Sequence, residues 1–145
     1  MNELNFKVLI VDDEQDFVET LSTRMETRGL KVDTALDGIT AIDKVEHKTF
    51  DTIILDLAMP GIDGIETLKR MLAKNADLQV ILLTGHATLE KGIEAIKLGA
   101  FDFLEKPAPI DLLMDKIKLA AMKKLALKEQ RTSEQIASIM SKRGW

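Results

Sequence analysis

The segment Lys7-Val8-Leu9-Ile10-Val11-Asp12-Asp13-Glu14 is a short aliphatic run that ends in three acidic residues. Unbroken aliphatic runs of this length are typical of parallel strands that helices cover on both faces. Similar runs recur along the chain, and apolar residues repeat at helical spacing between them. The predicted strands are residues 7–11, 31–35, 52–55, 79–83 and 101–104. This alternation predicts an α/β fold, a doubly wound (βα)5 open parallel sheet with helices on both faces.

Composition excludes several classes of protein. The 145 residues are 46% hydrophobic and 30% charged, as expected of one folded domain rather than of a disordered chain. There is no Cys, which excludes disulfides, thiolate metal sites and a Cys nucleophile. The first residues lack the features of a signal peptide, and the longest aliphatic runs contain four residues. We therefore expect a cytoplasmic protein that does not associate with membranes.

Charge is distributed unevenly along the chain. Residues 1–115 carry 12 Lys and Arg against 22 Asp and Glu, whereas residues 116–145 carry 8 against 2. The acidic part disfavours direct nucleic-acid binding. In the basic part, strong helix formers continue without Gly or Pro as far as Gly144, which predicts a C-terminal helical extension. Thr132-x-x-Gln135 has the form of a capping box and predicts that the helix breaks there and restarts.

The residues that follow the strands form a chemical pattern. In an open α/β sheet, ligands bind outside the carboxyl ends of the strands. The first strand ends in Asp12 and Asp13, the third in Asp56 and the fourth in Thr84, and the fifth leads into Lys106. Taken singly, these residues could be helix caps, turn caps or surface groups. Their joint placement at four strand ends favours a functional site.

These groups suit magnesium and a phosphoryl group. Clustered carboxylates repel one another unless a cation neutralises them, and oxygen ligands without Cys or His favour Mg²⁺. A Mg²⁺ site in turn indicates a phosphoryl substrate, and an Asp carboxylate can attack phosphorus to form an aspartyl phosphate. The metal and a Lys would neutralise the equatorial oxygens, and a Thr hydroxyl would bond one of them.

The sequence resembles the receiver domain of bacterial two-component response regulators over residues 6 to about 120. The motifs that carry the resemblance are Val11-Asp12-Asp13-Glu14, Asp56-Leu57-Ala58-Met59-Pro60-Gly61-Ile62-Asp63-Gly64, Thr84-Gly85-His86 and Gly99-Ala100-Phe101-Asp102-Phe103-Leu104-Glu105-Lys106-Pro107. The last motif is most similar to receivers of the nitrogen-regulatory, enhancer-binding class. The resemblance implies a flavodoxin-like sheet of strand order 2-1-3-4-5, with a receiver at residues 1–122 and a basic helical extension or linker at residues 123–145.

The resemblance also implies how the acceptor and the metal are arranged. Asp56 would be the phosphoacceptor. Asp13 would bind Mg²⁺ directly and Asp12 through water, and Asp56 and the backbone carbonyl of Ala58 would supply further ligands. Lys106 would pair with the phosphoryl group.

Further residues would couple phosphorylation to a response. Thr84 and Phe103 would form a switch pair, in which the hydroxyl moves to a phosphoryl oxygen while the aromatic ring turns inward. Without a hydroxyl, Phe103 could report its state only by burial, and a core role is the alternative for it. Ala58 and His86 would flank the path of the attacking water and tune the lifetime of the phosphorylated state, although an exposed loop histidine without a role is the alternative for His86.

The implied partner is a sensor histidine kinase, and phosphorylation would bias the face made by the fourth helix, fifth strand and fifth helix. A homodimer would form through that face, through the C-terminal helix, or through both. One alternative to this switch is a phosphatase of the haloacid-dehalogenase type with Asp12 as nucleophile. That class places a second Asp two residues later, where this chain has Glu14, and it leaves Asp56 and Lys106 unexplained. Another alternative is a docking module that is not phosphorylated.

Overall fold

Strands and helices alternate in the computed structural model, which describes residues 5–59, 61–85 and 89–142. The elements are β1 (Lys7–Val11), α1 (Gln15–Thr27), β2 (Lys31–Ala35), α2 (Gly38–His47), β3 (Thr52–Leu55), α3 (Gly64–Lys74), β4 (Val80–Thr84), α4 (Leu89–Leu98), β5 (Asp102–Glu105) and α5 (Ile110–Lys142). All neighbouring strands are parallel, and their order is β2-β1-β3-β4-β5. The predicted doubly wound sheet and its strand order 2-1-3-4-5 are therefore confirmed.

The last two strands lie one residue later than predicted. Pairing places Ile81 beside Asp102 and Thr84 beside Glu105, so β4 and β5 both extend to polar residues at their carboxyl ends. Aliphatic character shows where a strand is buried, whereas the hydrogen-bonded ladder decides where it ends. Thr84 is consequently the last residue of β4.

Two hydrophobic cores cover the sheet, one on each face. The first lies under α2, α3 and α4 and includes Leu9 and Leu68. The second lies under α1 and α5 and includes Ile10 and Ile117. Successive residues of β1 thus enter opposite cores, which is why the central strands are aliphatic throughout. Each such side chain contributes about 1.5–3 kcal/mol when fully buried, and together they hold the strand ends in fixed relative positions.

The fifth helix is longer than the sheet requires. It spans 33 residues, and its last buried side chain is that of Ala121. The predicted break at Thr132 is wrong: the helix continues, and the Thr132 hydroxyl donates to the carbonyl of Lys128 one turn earlier. A threonine whose hydroxyl donates to the carbonyl four residues earlier lies inside a helix and does not cap one. Within the described ranges, every helix is too short or too polar to cross a lipid bilayer.

Two basic side chains join the protruding part of α5, residues 123–142, to the amino-terminal edge of the sheet. The Lys124 ammonium donates to the carbonyl of Phe50, which lies just before β3. Arg131 forms an ion pair with Asp77 in the loop before β4. The protruding helix is therefore held at the edge opposite the carboxyl ends of the strands.

Candidate functional site

The carboxyl ends of β1, β3, β4 and β5 bring the predicted site residues together. Carboxylate oxygens of Asp12, Asp13 and Asp56 all lie within 4.8 Å of one another. Asp12 and Asp56 are buried, whereas Asp13 is exposed. The cluster combines two carboxylates fixed by the sheet with a third that reaches in from solvent.

Asp12 is the most constrained of the three carboxylates. One of its oxygens, Oδ2, lies 2.6 Å from Lys106 Nζ, and the other accepts a hydrogen bond from the Glu14 amide at 3.0 Å. Burial raises the pKa of Asp12, and the nearby charge of Asp56 acts in the same direction. The hydrogen bonds from Lys106 and Glu14 oppose this increase without cancelling it. Lys106 and the Glu14 amide therefore stabilise the negative charge of Asp12 only in part.

Asp56 follows the middle strand of the sheet, and its two oxygens have different surroundings. Oδ1 accepts hydrogen bonds from the Thr84 hydroxyl at 2.7 Å and from the Ala58 amide at 3.2 Å. Oδ2 lies 3.7 Å from Lys106 Nζ, beyond hydrogen-bond distance. One oxygen is thus held by neutral donors, and the other faces the ammonium across a short gap.

Lys106 reaches the cluster from the segment after β5. Its amide donates to the Thr84 carbonyl at 2.7 Å, and its peptide bond to Pro107 is cis. Only 18% of its side chain is exposed. Burial by itself would lower the pKa of Lys106, but the hydrogen bond to Asp12 and the charges of Asp12, Asp56 and Glu14 outweigh it, and the pKa is raised. The ammonium is firmly cationic.

An aromatic ring that the sequence prediction did not assign to the site also contacts Lys106. The Nζ atom lies 4.1 Å from the centroid of the Phe17 ring, in the first turn of α1. Phe17 stands at helical spacing from Leu21 and Met25, two buried residues of that helix. Its side chain is only half-buried, at the edge of the second core. The sequence feature that could have pointed to Phe17 is its position three residues after Glu14, the last of the acidic residues that follow β1.

Phe103 and the tuning positions lie around this centre. The Phe103 ring is half-buried and packs against α4, where a Cβ added to Gly92 would lie 2.7 Å from two of its ring carbons. Ala58 is exposed beside Asp56. His86, the other predicted tuning residue, and Pro60 lie outside the described residues.

A close backbone contact explains the Asp63-Gly64 pair that follows the site. The Gly64 amide donates to the Leu57 carbonyl at 2.9 Å, and an added Cβ would lie 2.3 Å from Leu57 Cα. Asp63 caps α3 by accepting from the Glu66 amide at 2.9 Å. Glycine is needed here because the start of α3 packs directly on the backbone that carries Asp56.

Comparison with known proteins identifies relatives of this arrangement. The chain matches a family model described as "Response regulator receiver domain" over residues 8–118. It is 39% identical over 127 residues to the C4-dicarboxylate transport transcriptional regulatory protein DctD of Pseudomonas aeruginosa, covering 87% of this chain and 27% of that protein. It is 35% identical over 122 residues to the regulatory protein AtoC of Escherichia coli, covering 81% of this chain and 26% of that protein. The chain thus spans about a quarter of the length of these two regulators.

Solved structures show the same likeness. The receiver domain of the Francisella response regulator 1452 is 33% identical with a TM-score of 0.76, and the match covers 82% of this chain and 98% of that one. NtrX from Brucella abortus is 27% identical with a TM-score of 0.83, and the match covers 88% of this chain and 30% of that one.

Proposed function

The chain belongs to the family of response regulator receiver domains, and from this premise we propose that Asp56 is its phosphoacceptor. The relatives DctD and AtoC confirm the resemblance to the nitrogen-regulatory, enhancer-binding class, and the chain is a signalling domain. The observation that carries the assignment of the acceptor is the setting of the Asp56 carboxylate. It is buried at the end of the middle strand, and Thr84 and Lys106 approach its two oxygens.

Magnesium is the proposed cofactor. The acidic cluster offers only oxygen ligands, close enough together for one ion, and the raised pKa of Asp12 marks negative charge that a cation would stabilise. In this proposal Asp13 ligates Mg²⁺ directly, Asp12 acts through water, and Asp56 and the Ala58 carbonyl complete the protein ligands. When bound, the ion would neutralise charge on the phosphoryl oxygens.

The proposed transfer uses the less constrained oxygen of the acceptor. Because Asp56 Oδ1 already accepts two hydrogen bonds, we assign the attack to Oδ2. A bond from Oδ2 to phosphorus forms as the bond from phosphorus to the imidazole nitrogen of the donor histidine breaks. The imidazole keeps the electron pair of the broken bond and takes a proton from solvent. Lys106 Nζ, 3.7 Å from Oδ2, then pairs with the transferred group.

Phosphorylation is proposed to act through Thr84 and Phe103. The Thr84 hydroxyl would exchange its bond to Asp56 Oδ1 for one to a phosphoryl oxygen, and the Phe103 ring would turn inward beside it. This change would bias the face made by α4, β5 and α5 and so control an output or partner. Ala58 and His86 would set the lifetime of the phosphorylated state.

A sensor histidine kinase is the proposed donor, and the family match favours this switch over the phosphatase alternative. In the structure Asp12, the nucleophile of that alternative, has one oxygen paired with Lys106 and the other bonded to the Glu14 amide. If the chain were a docking module that is not phosphorylated, a phosphodonor would label none of its residues. The absence of direct nucleic-acid binding and the cytoplasmic location remain predictions, as do the domain limits at residues 1–122 and 123–145.

Labelling with a small phosphodonor tests the acceptor. Wild-type protein and Asp56→Asn are incubated with acetyl phosphate and Mg²⁺, and the acyl phosphate is reduced and mapped by mass spectrometry. We expect one labelled residue, Asp56, and no label in the variant. Label that persists in Asp56→Asn but disappears in Asp12→Asn would support the phosphatase, and a wild-type protein without label would contradict the proposal.

A homodimer is proposed from apolar side chains that remain exposed. Ile93 of α4 and Leu119 of α5 are 51% and 53% exposed, and on the protruding helix Leu125 and Ile136 are 56% and 52% exposed. The protruding helix, residues 123–142, offers fewer than three heptads, so pairing through it alone should be weak. Light scattering on the full chain and on a chain ending at Lys124, each with and without beryllofluoride, tests this. Equal masses for the two chains in both states would exclude the helix as the dimer contact.

A further inference from the structure

We propose that Phe17 is a positioning residue, whose ring face holds the Lys106 ammonium in place for phosphoryl transfer to Asp56. The inference rests on the proposed function, because it concerns the same reaction. It adds to the site an aromatic residue that acts through the lysine.

The ammonium contacts both an aromatic ring and a group of carboxylates. Its Nζ atom is 4.1 Å from the centroid of Phe17. It is also 2.6 Å from Asp12, 3.6 Å from Glu14 and 3.7 Å from Asp56. The face of an aromatic ring carries negative charge density and attracts a cation at this distance. The ring therefore adds a further attraction to those that the carboxylates exert on the ammonium.

The contact with Phe17 would restrict the flexible side chain of Lys106. Lysine carries its charge on a four-carbon stem with many rotamers, and in this structure the ammonium rests on Asp12 rather than on the proposed acceptor. Moving Nζ by about 1 Å would bring it within hydrogen-bond distance of Asp56 Oδ2. Because a ring face attracts a cation over a broad area rather than at one atom, Phe17 can keep its contact during this movement.

The position of Phe17 agrees with this role. Its side chain lies at the edge of the second core and is half-buried, so its ring fills no enclosed space that demands an aromatic residue. The chain offers a matched comparison at the other end of the sheet. There Lys123 Nζ lies 5.7 Å from the centroid of Phe101, in the segment before β5 and away from the acidic cluster.

Fluorinated phenylalanines test the contribution of the ring face directly. Successive fluorine atoms withdraw charge from the ring with little change in its shape, so they weaken the attraction for a cation and leave the packing nearly intact. The full-length protein is prepared with 4-fluoro-, 3,5-difluoro- and 3,4,5-trifluorophenylalanine at position 17. The rate constant for Asp56 phosphorylation by phosphoramidate is measured at saturating Mg²⁺. We expect it to fall stepwise, by about two- to five-fold across the series.

Three comparisons separate positioning from packing. The same fluorinated residues at Phe101 should leave the rate constant unchanged. Phe17→Tyr should retain the wild-type rate, because the ring face is kept, whereas Phe17→Leu should lose at least as much as the trifluorinated protein. In NMR spectra the Lys106 Hε protons should be shifted upfield by the Phe17 ring, and this shift should disappear in Phe17→Leu.

The outcomes are distinguishable. A wild-type protein that is phosphorylated at a rate independent of fluorination would overturn the role of Phe17 and leave the proposed function standing. A wild-type protein that is not phosphorylated would overturn both. An unshifted Lys106 resonance in the wild-type spectrum would contradict the contact itself, with no need for phosphorylation.

Discussion

Gly92 provides the space that the Phe103 ring occupies, and Gly92→Ala should therefore disturb that ring specifically. An added Cβ would lie 2.7 Å from two carbons of the ring and 3.0 Å from a third. Carbon atoms in ordinary contact are about 3.5–4.0 Å apart, so the ring must retreat by about 1 Å. The atoms in the way belong to the far end of a side chain, which can move, so we expect a displaced ring rather than an unfolded protein.

Two opposing effects set the size of the change in stability. Replacing Gly by Ala inside a helix such as α4 stabilises it by about 0.8–1 kcal/mol. Forcing extra volume against a packed side chain costs about 1–3 kcal/mol. In the wild-type background the free energy of unfolding should fall by about 0–2 kcal/mol. In a Phe103→Ala background the ring is absent, and the same substitution should raise the free energy of unfolding by about 1 kcal/mol.

A double-mutant cycle measures this difference. The free energies of unfolding of wild type, Gly92→Ala, Phe103→Ala and the double variant are obtained from urea denaturation at 25 °C. We expect a coupling of about 1–3 kcal/mol between the two positions, within the range of residues in direct contact. The change in the free energy of unfolding of the double variant could instead equal the sum of the two single changes to within about 0.5 kcal/mol. That result would refute the contact, because it would show that the Phe103 ring does not occupy the space at Gly92.

Three further outcomes follow from other contacts. Mg²⁺ at millimolar concentration should raise the melting temperature over EDTA, and Asp13→Asn should remove most of that increase in calorimetry. For Asp33, burial by itself would raise the pKa, but hydrogen bonds from Lys44 and Lys48 outweigh it and lower the pKa from 3.8 to about 2. The stabilisation is therefore present above pH 4 and lost as the pH falls through 2. Asp33→Asn should consequently destabilise the fold by about 1 kcal/mol at pH 7 and by much less at pH 2 in urea titrations. Arg131→Ala should speed amide hydrogen exchange in the protruding part of α5, since it removes the ion pair to the loop before β4, and unchanged exchange would contradict that anchor.

Much of the fold was predictable because it depends on local patterns. Aliphatic runs such as that of β1 must be covered on both faces, and a parallel sheet with alternating helices satisfies this requirement. The same topology places the ends of successive strands at one edge, so Asp12, Asp56 and Lys106 could be expected together before any distance was known. The acidic cluster was thus determined by the sequence through the period and direction of its strands.

Other features depended on which groups compete for a contact in space. The carboxylate closest to Lys106 is that of Asp12 rather than Asp56, and charge alone does not distinguish the two. The capping pattern at Thr132 was misleading because a hydroxyl can bond the preceding turn as readily as it caps a new one, and strong helix formers on both sides kept α5 continuous.

The ring of Phe17 shows the same limit most clearly. Its helical spacing is that of a core residue, and its contact with Lys106 joins α1 to a segment that follows β5, 89 positions later in the chain. Sequence periodicity determines which face of a helix turns inward, because it is set by the geometry of a single element. The charged group that contacts that face is decided only when the sheet brings distant strand ends together. Such a contact depends on distances of a few ångströms between elements that share no local sequence pattern.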